Sequence, residues 1–325
     1  MTETVSARRL RSMLRTAMGN VLAAALADPE VAEIMVNPDG EIRIDRLGQG
    51  RIETGSRLEP AEVERIIRLV ASHVRAEAHR DNPIVSAELP FRDGLSGERF
   101  EGLLPPVVVS PCFSIRKPAH RLYGLGDYVA DGVMSSLQAR ALRTAVRDRR
   151  NILVAGGTSS GKTTLTNALL AEMAELNERI ILIEDTRELR CAARDCVALR
   201  TRPGWVSLGD LVHSTLRLRP DRIIVGEVRG GEALDMLKAW NTGHPGGVAT
   251  LHANSARGAL YRLEHLIQEA VTCVPRALIA DGIDVIVYIA GDNPHTHSPR
   301  HVETIAELVG LDATGDYLLQ PLIQA

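Results

Sequence analysis

Gly156, Gly161, Lys162 and Thr163 stand at the spacing G-x-x-x-x-G-K-[ST], between the apolar run Ile152 to Ala155 and a helix-favouring stretch. That spacing suits a phosphate group. Glycines let successive backbone N–H groups curl around an anion, and a helix opening at the loop turns its positive dipole end toward it. Gly156, Gly157, Thr158, Ser159, Ser160, Gly161, Lys162, Thr163 and Thr164 together form a candidate nucleotide cradle. In it Lys162 would reach the β- and γ-phosphates and the Thr163 hydroxyl would reach Mg2+.

Hydrolysis at such a cradle also needs acid groups at neighbouring strand ends, where open α/β sheets bind their ligands. The apolar run Ile180 to Ile183 ends in Glu184-Asp185, and Ile223 to Val225 ends in Gly226-Glu227. Carboxylates there can hold Mg2+ through water and orient or deprotonate the attacking water. A solvated strand end explains either pair alone; two in succession after a phosphate loop argue for function. Asn241 to His252 carries a histidine on each side of an expected strand. His244 lies among glycines, a sign of close backbone packing or of a phosphate approach, and His252 closes the strand. Arg116 and Lys117 follow Phe113-Ser-Ile, with Arg99 and Arg121 nearby. A planar, permanently charged guanidinium suits charge developing on a transferred phosphoryl group, although composition alone leaves these arginines equally at home on the surface.

The elements that must position these residues follow from periodicity. Residues 8 to 27 carry leucines at helical spacing and stop at Asp28-Pro29. Val31 to Val36, a turn at Asn37 to Gly40, an alternating strand Glu41 to Asp45 and a turn at Leu47 to Gly50 predict a hairpin. Pro60 opens a helix whose apolar face is Val63, Ile66, Ile67, Val70 and Val74. Residues 84 to 116 read as short strands, with Val107 to Val109 extended. The expected organisation is an α+β domain over 1–118, a linker over 119–136 and an α/β domain over 137–325. In the last, helices at 137–147, from the loop to about 176, from N-cap Ser207 to about 218, at 231–241 and at 256–270 alternate with apolar strands at 179–184, 222–225, 247–252 and 284–290. Continuous apolar strands between helices predict a parallel sheet covered on both faces, and residues 301 to 322 a closing hairpin.

Bulk properties narrow the classes. A chain of 325 residues with 45% hydrophobic and 24% charged residues buries ample core without staples. The formal net charge of −3 supplies no basic field, and 3% aromatics leave few stacking platforms, so direct nucleic-acid binding is unsupported. Cys112, Cys191, Cys196 and Cys273 lack metal-ligand spacing and read as small buried hydrophobes in a reducing cytosol. A secretory signal and a membrane span are both unexpected.

Taken in order, the phosphate loop, Ile-Glu-Asp-x-x-Glu-Leu at Ile183 to Leu189, Arg-Pro-Asp-Arg-Ile-Ile-Val-Gly-Glu-Val-Arg at Arg219 to Arg229, and Thr-Gly-His through Thr-Leu-His at Thr242 to His252 closely resemble the type II/IV secretion ATPase superfamily. These correspond to its Walker A, Asp box, Walker B and His box, and the wording looks most like the conjugative-transfer (TrbB-type) branch. The resemblance implies a RecA-like P-loop ATPase domain with a smaller N-terminal α+β domain, ATP and Mg2+ as ligands, and a homo-hexameric ring peripheral to the inner membrane, working with inner-membrane components of a type IV secretion machine. It implies catalytic roles for Lys162, Glu184, Glu227, Arg116 and His252. Metal contact falls to Thr163, Glu227 and Asp185, and nucleotide or subunit contact to His244, Arg99 and Arg121. Whether Glu184 or Glu227 is the general base, and which arginine reaches the γ-phosphate, stays open. Gly226 stands where general P-loop ATPases carry Asp, and the tetracysteine module of type II members is absent. A pilus assembly or retraction ATPase is the alternative on the same fold, and a nucleic-acid-stimulated P-loop ATPase a more distant one.

Overall fold

The structure, a computed structural model, describes residues 5–89, 97–118, 122–202, 204–291 and 298–323. The chain divides into two compact units, Met1–His120 and Arg121–Ala325. In the first, α1 (Val5–Ala27) is broken at Gly19, where φ is 65° and ψ −175°. The leucine periodicity runs through this break because a single glycine resets the backbone without disturbing the apolar spacing on either side. Then come β1 (Val31–Val36), β2 (Glu41–Arg46), β3 (Gly50–Arg57), α2 (Pro60–His73), β4 (Ile84–Glu88), β5 (Arg99–Leu103) and β6 (Cys112–Arg116). They form an antiparallel sheet ordered β3-β2-β1-β6-β5-β4.

Helix α2 starts where Pro60 predicts, with the Glu59 N–H donating to the Glu62 carboxylate at 2.9 Å. Val63, Ile66, Ile67, Val70 and Ala71 are its buried face; Val74, expected there, is the C-cap residue and is exposed. One strand has no counterpart in the sequence pattern, and one expected strand is absent. Residues 50 to 57 pair as β3 although their sequence, Gly-Arg-Ile-Glu-Thr-Gly-Ser-Arg, is mostly polar, because an edge strand with exposed residues needs little apolar content. Val107 to Val109 lie in a bend, with Val109 exposed, although β-branching favours strand.

The second unit continues with α3 (Leu125–Ala130), α4 (Ser136–Arg147), β7 (Ile152–Gly156), α5 (Lys162–Met173), β8 (Arg179–Glu184), β9 (Asp195–Arg200), α6 (Leu208–Thr215), β10 (Arg222–Val225), α7 (Glu232–Asn241), β11 (Val248–His252), α8 (Ala256–Gln268), α9 (Arg276–Gly282), β12 (Val285–Ala290), β13 (His301–Leu311) and β14 (Tyr317–Pro321). The sheet order is β14-β13-β12-β7-β11-β10-β8-β9, parallel from β12 to β9, with the antiparallel β13–β14 hairpin at one edge. Side chains alternate between two cores as a strand's period requires. Ile152, Val154, Ile180, Leu182 and Ile224 pack with α3, α4 and α5; Leu153, Ala155, Ile181, Ile183 and Ile223 pack with α6, α7 and α8. This is the doubly covered α/β sheet that the continuous apolar runs predict.

Segment 125–130, expected within a linker, is a helix whose Leu125 and Tyr128 are buried in that core. Its glycines and aspartates mark helix ends: Gly124 is the N-cap, its N–H bonded to Asp127. Strand β9 and helix α9 are further elements that polar or short sequences conceal. The cysteines are not core residues: Cys112, Cys191 and Cys196 are half-buried and Cys273 is exposed. Among the described residues, no helix is long and apolar enough to cross a membrane.

Candidate nucleotide site

Strand β7 delivers the loop to the carboxyl edge of the sheet, flanked by β11 on one side and β12 on the other. Ser159 and Gly161 take left-handed backbone, with φ of 58° and 98°, so the chain curls before entering α5. Gly156 admits no side chain, since a Cβ would come within 2.5 Å of both the Ile289 carbonyl oxygen and Ser160 Oγ. Lys162 is buried, and its Nζ donates to the carbonyls of Gly156 at 3.1 Å and Gly157 at 2.8 Å. The helix N-terminus, the curled backbone and this cation give the loop the chemistry of an anion cradle.

His252 links the cradle to an acid. Its Nδ1 lies 3.2 Å from Lys162 Nζ and its Nε2 2.8 Å from Glu227 Oε1. An ammonium has only protons to give, so Nδ1 accepts and Nε2–H donates to Glu227. Glu227 also receives Arg229 Nη2 at 2.6 Å; this carboxylate raises the hold of the guanidinium on its proton. The segment is pinned by Val228 N donating to Thr250 O at 3.0 Å and Thr250 Oγ1 donating to Gly226 O at 2.6 Å. Lys162 at the start of α5, His252 at the end of β11, and Glu227 and Arg229 just after β10 therefore form one hydrogen-bonded chain, and Glu227 keeps partial solvent access.

Glu184 is built differently. It is 3% exposed, and its Oε1 accepts the backbone N–H groups of Glu188 and Leu189, each at 2.8 Å. A Cβ on Gly226 would approach Glu184 Cγ at 3.0 Å, so the glycine that replaces the usual Asp leaves the room that the Glu184 side chain occupies. By capping the turn after β8, Glu184 folds Glu188 back toward α5. Thr163 Oγ1 donates to Glu188 Oε2 at 3.3 Å, and Asn167 anchors the same turn through Glu188 O and Arg190 N.

The other expected site residues fall in three places. Asp185 does not face Thr163; its carboxylate accepts from Thr201 Oγ1 at 2.8 Å and lies 3.6 Å from Arg229 Nη1, because the chain turns at the end of β8. The carboxylate beside Thr163 is Glu188, whose spacing from Glu184 in the quoted box carries no sign that the turn doubles back. His244 precedes β11 at the amino edge of the sheet, one strand length (about 13 Å) from the cradle. There its Nδ1 lies 3.1 Å from Pro220 O. The glycines around it serve packing: a Cβ on Gly247 would strike the Trp240 ring at 2.1 Å, and one on Gly246 would meet Arg222 Nη1 at 2.6 Å. Arg99 and Arg116 face each other across β5 and β6 in the first unit. Neighbouring Lys117 donates to the Ala25 and Asp28 carbonyls and so caps α1. Arg121 lies outside the described residues.

The residues fit Mg2+ and a nucleoside triphosphate. Thr163, Glu188 and Glu227 offer hard oxygen donors, and no three His, Cys, Asp or Glu side chains among the described residues form a ready metal cage. That is how Mg2+ sits in phosphate sites, on one or two protein oxygens plus substrate phosphates and water. The fold and the loop together define a P-loop nucleotide-binding protein of the RecA-like α/β class.

A family model described as "Type II/IV secretion system protein" matches residues 64–290. The chain is 48% identical over 307 residues to the conjugal transfer protein TrbB of Rhizobium radiobacter, covering 93% of each chain. It is 50% identical over 283 residues to the probable conjugal transfer protein TrbB of Sinorhizobium fredii, covering 86% of this chain and 85% of the relative. The structure of the pilus retraction motor PilT with bound ADP matches 92% of this chain and 80% of its own with a TM-score of 0.59; at 19% identity that likeness speaks to fold alone. This chain belongs to the type II/IV secretion protein family.

Proposed function

We propose that the protein hydrolyses ATP with Mg2+ and, as a homo-hexameric ring peripheral to the inner membrane, energises conjugal transfer through a type IV secretion machine. The observation that carries this reading is the continuous link from Lys162 in the cradle through His252 to Glu227. Lys162 holds the β- and γ-phosphate charge. Glu227, partly open to solvent, accepts a proton from the attacking water, while His252 and Arg229 fix its two oxygens. Glu184 is too buried and too engaged with the 188–189 backbone for that step. Mg2+, when bound, neutralises charge on the β- and γ-phosphate oxygens, and Thr163 and Glu188 are the side chains that would hold it. The likeness to TrbB proteins supports the conjugal setting.

The test is a pair of variants. Lys162→Ala should lose ATP binding and, in a donor cell, DNA transfer. Glu227→Gln should still bind ATP while hydrolysis falls by about 10² to 10⁴, the usual worth of a positioned base. Turnover at the unmodified rate in either variant refutes the reading, and a fully active monomer by native mass measurement refutes the ring.

A further inference from the structure

The described mechanism uses only one flank of the phosphate loop. His252 ends β11 and Glu227 follows β10, to one side of β7; β12 stands on the other. On that second flank the end of β12 and the start of β13 both press on the loop. A Cβ on Gly291 would come within 3.2 Å of Ser160 Cα, and one on Gly161 would meet the Arg300 side chain at 3.4 to 3.7 Å. Arg300 Nη2 donates to the Ser159 carbonyl at 3.2 Å. The same guanidinium lies close enough to the buried Tyr128 hydroxyl to oppose part of the upward push that burial gives it. A half-buried, permanently charged fork is thus laid along the outer turn of the loop, just before the chain enters β13.

The carboxylates and Lys162 define where the γ-phosphate and its metal belong, so the opposite flank faces the nucleoside end of a bound nucleotide. Arginine there matches the α- and β-phosphates in charge and in planar geometry. We propose that Arg300 is a nucleotide-binding residue acting from the same chain, gripping the phosphates that ATP and ADP share. The assignment rests on the reading of the loop as a nucleotide cradle. It predicts a particular energetic signature: contact with the shared phosphates stabilises ground state and transition state alike and shows in binding rather than in the chemical step.

The test titrates fluorescent methylanthraniloyl-ADP with Mg2+ into the full-length protein and its variants. Arg300→Gln should raise the Kd for this ADP and the KM for ATP in the same proportion, about tenfold, as expected for one charge-assisted contact. Arg300→Lys, which keeps the charge but not the fork, should fall between. The melting temperature without nucleotide is read alongside. A Kd within about twofold of the unmodified protein in Arg300→Gln overturns the proposal. So does a fall in kcat with the ADP affinity kept, or a melting loss without nucleotide that Arg300→Lys shares, which would make Arg300 a packing residue. Lys162→Ala is the reference: if it binds the probe normally, the cradle itself is misread, whereas loss in Lys162→Ala with binding kept in Arg300→Gln sinks only the Arg300 assignment.

Discussion

Replacing Glu184 separates a buried cap from a catalytic base. In Glu184→Ala the N–H groups of Glu188 and Leu189, each bonded at 2.8 Å, lose their acceptor in a site that is 3% exposed at Glu184. Each unsatisfied buried donor costs about 1–3 kcal/mol, so the unit should lose about 2–6 kcal/mol. Glu184→Gln keeps an oxygen for the same two donors and gives up only the charge, which roughly halves the strength of such bonds and costs about 1–2 kcal/mol. Urea unfolding measures both stability losses, and steady-state ATP hydrolysis is read beside it. Glu184→Gln should stay folded and retain hydrolysis within about tenfold, far less than the 10² or more expected of a lost base. Glu184→Ala should be both less stable and much less active, because the turn that presents Glu188 to Thr163 loosens. Native stability in Glu184→Gln with hydrolysis lost a hundredfold or more would refute the division of labour between the two glutamates.

Two further outcomes follow from residues outside the cradle. Arg222, fully buried, pairs with Glu178, and Arg149 shares that carboxylate at 2.7 Å. Glu178→Ala strands a buried guanidinium and should cost about 3–5 kcal/mol, a melting shift of about 10 °C by calorimetry; a shift under about 2 °C would contradict it. Cys191 accepts a hydrogen bond from Cys196, which brings its thiol down to about 7, whereas burial pushes Cys112 up. A lowered value means thiolate at lower pH, so iodoacetamide should label Cys191 with a rate that rises through pH 7 and outruns Cys112 at pH 8. Cys196→Ser should slow that labelling at pH 7. Equal rates for Cys191 and Cys112 across the range would contradict the thiol pairing.

Covalent spacing and local periodicity determine much of this protein. The phosphate loop is legible because its residues are contiguous, and a backbone cradle is a local object: glycines, lysine and threonine must follow one another whatever surrounds them. The parallel sheet is legible for a related reason, since strands buried on both faces have no polar positions, as in Ile180 to Ile183 and Ile223 to Val225. Edge and polar elements are hidden by the same logic: β3 and α3 draw their stability from neighbours that periodicity does not reveal.

Only the tertiary structure decides which carboxylate does what. Glu184 and Glu227 look alike as residues closing apolar runs, yet the space above Gly226 takes in the first as a cap and leaves the second at the cradle's mouth. His244 and His252 likewise look equivalent, but a parallel strand has two ends and only one of them reaches the glycine-rich loop. Glu188 reaches Thr163 through a turn held by a buried acceptor, and Arg300 reaches the loop from the start of β13, two strands away. These are contacts between distant positions, set by which strand lies beside which, and no spacing along the chain encodes them.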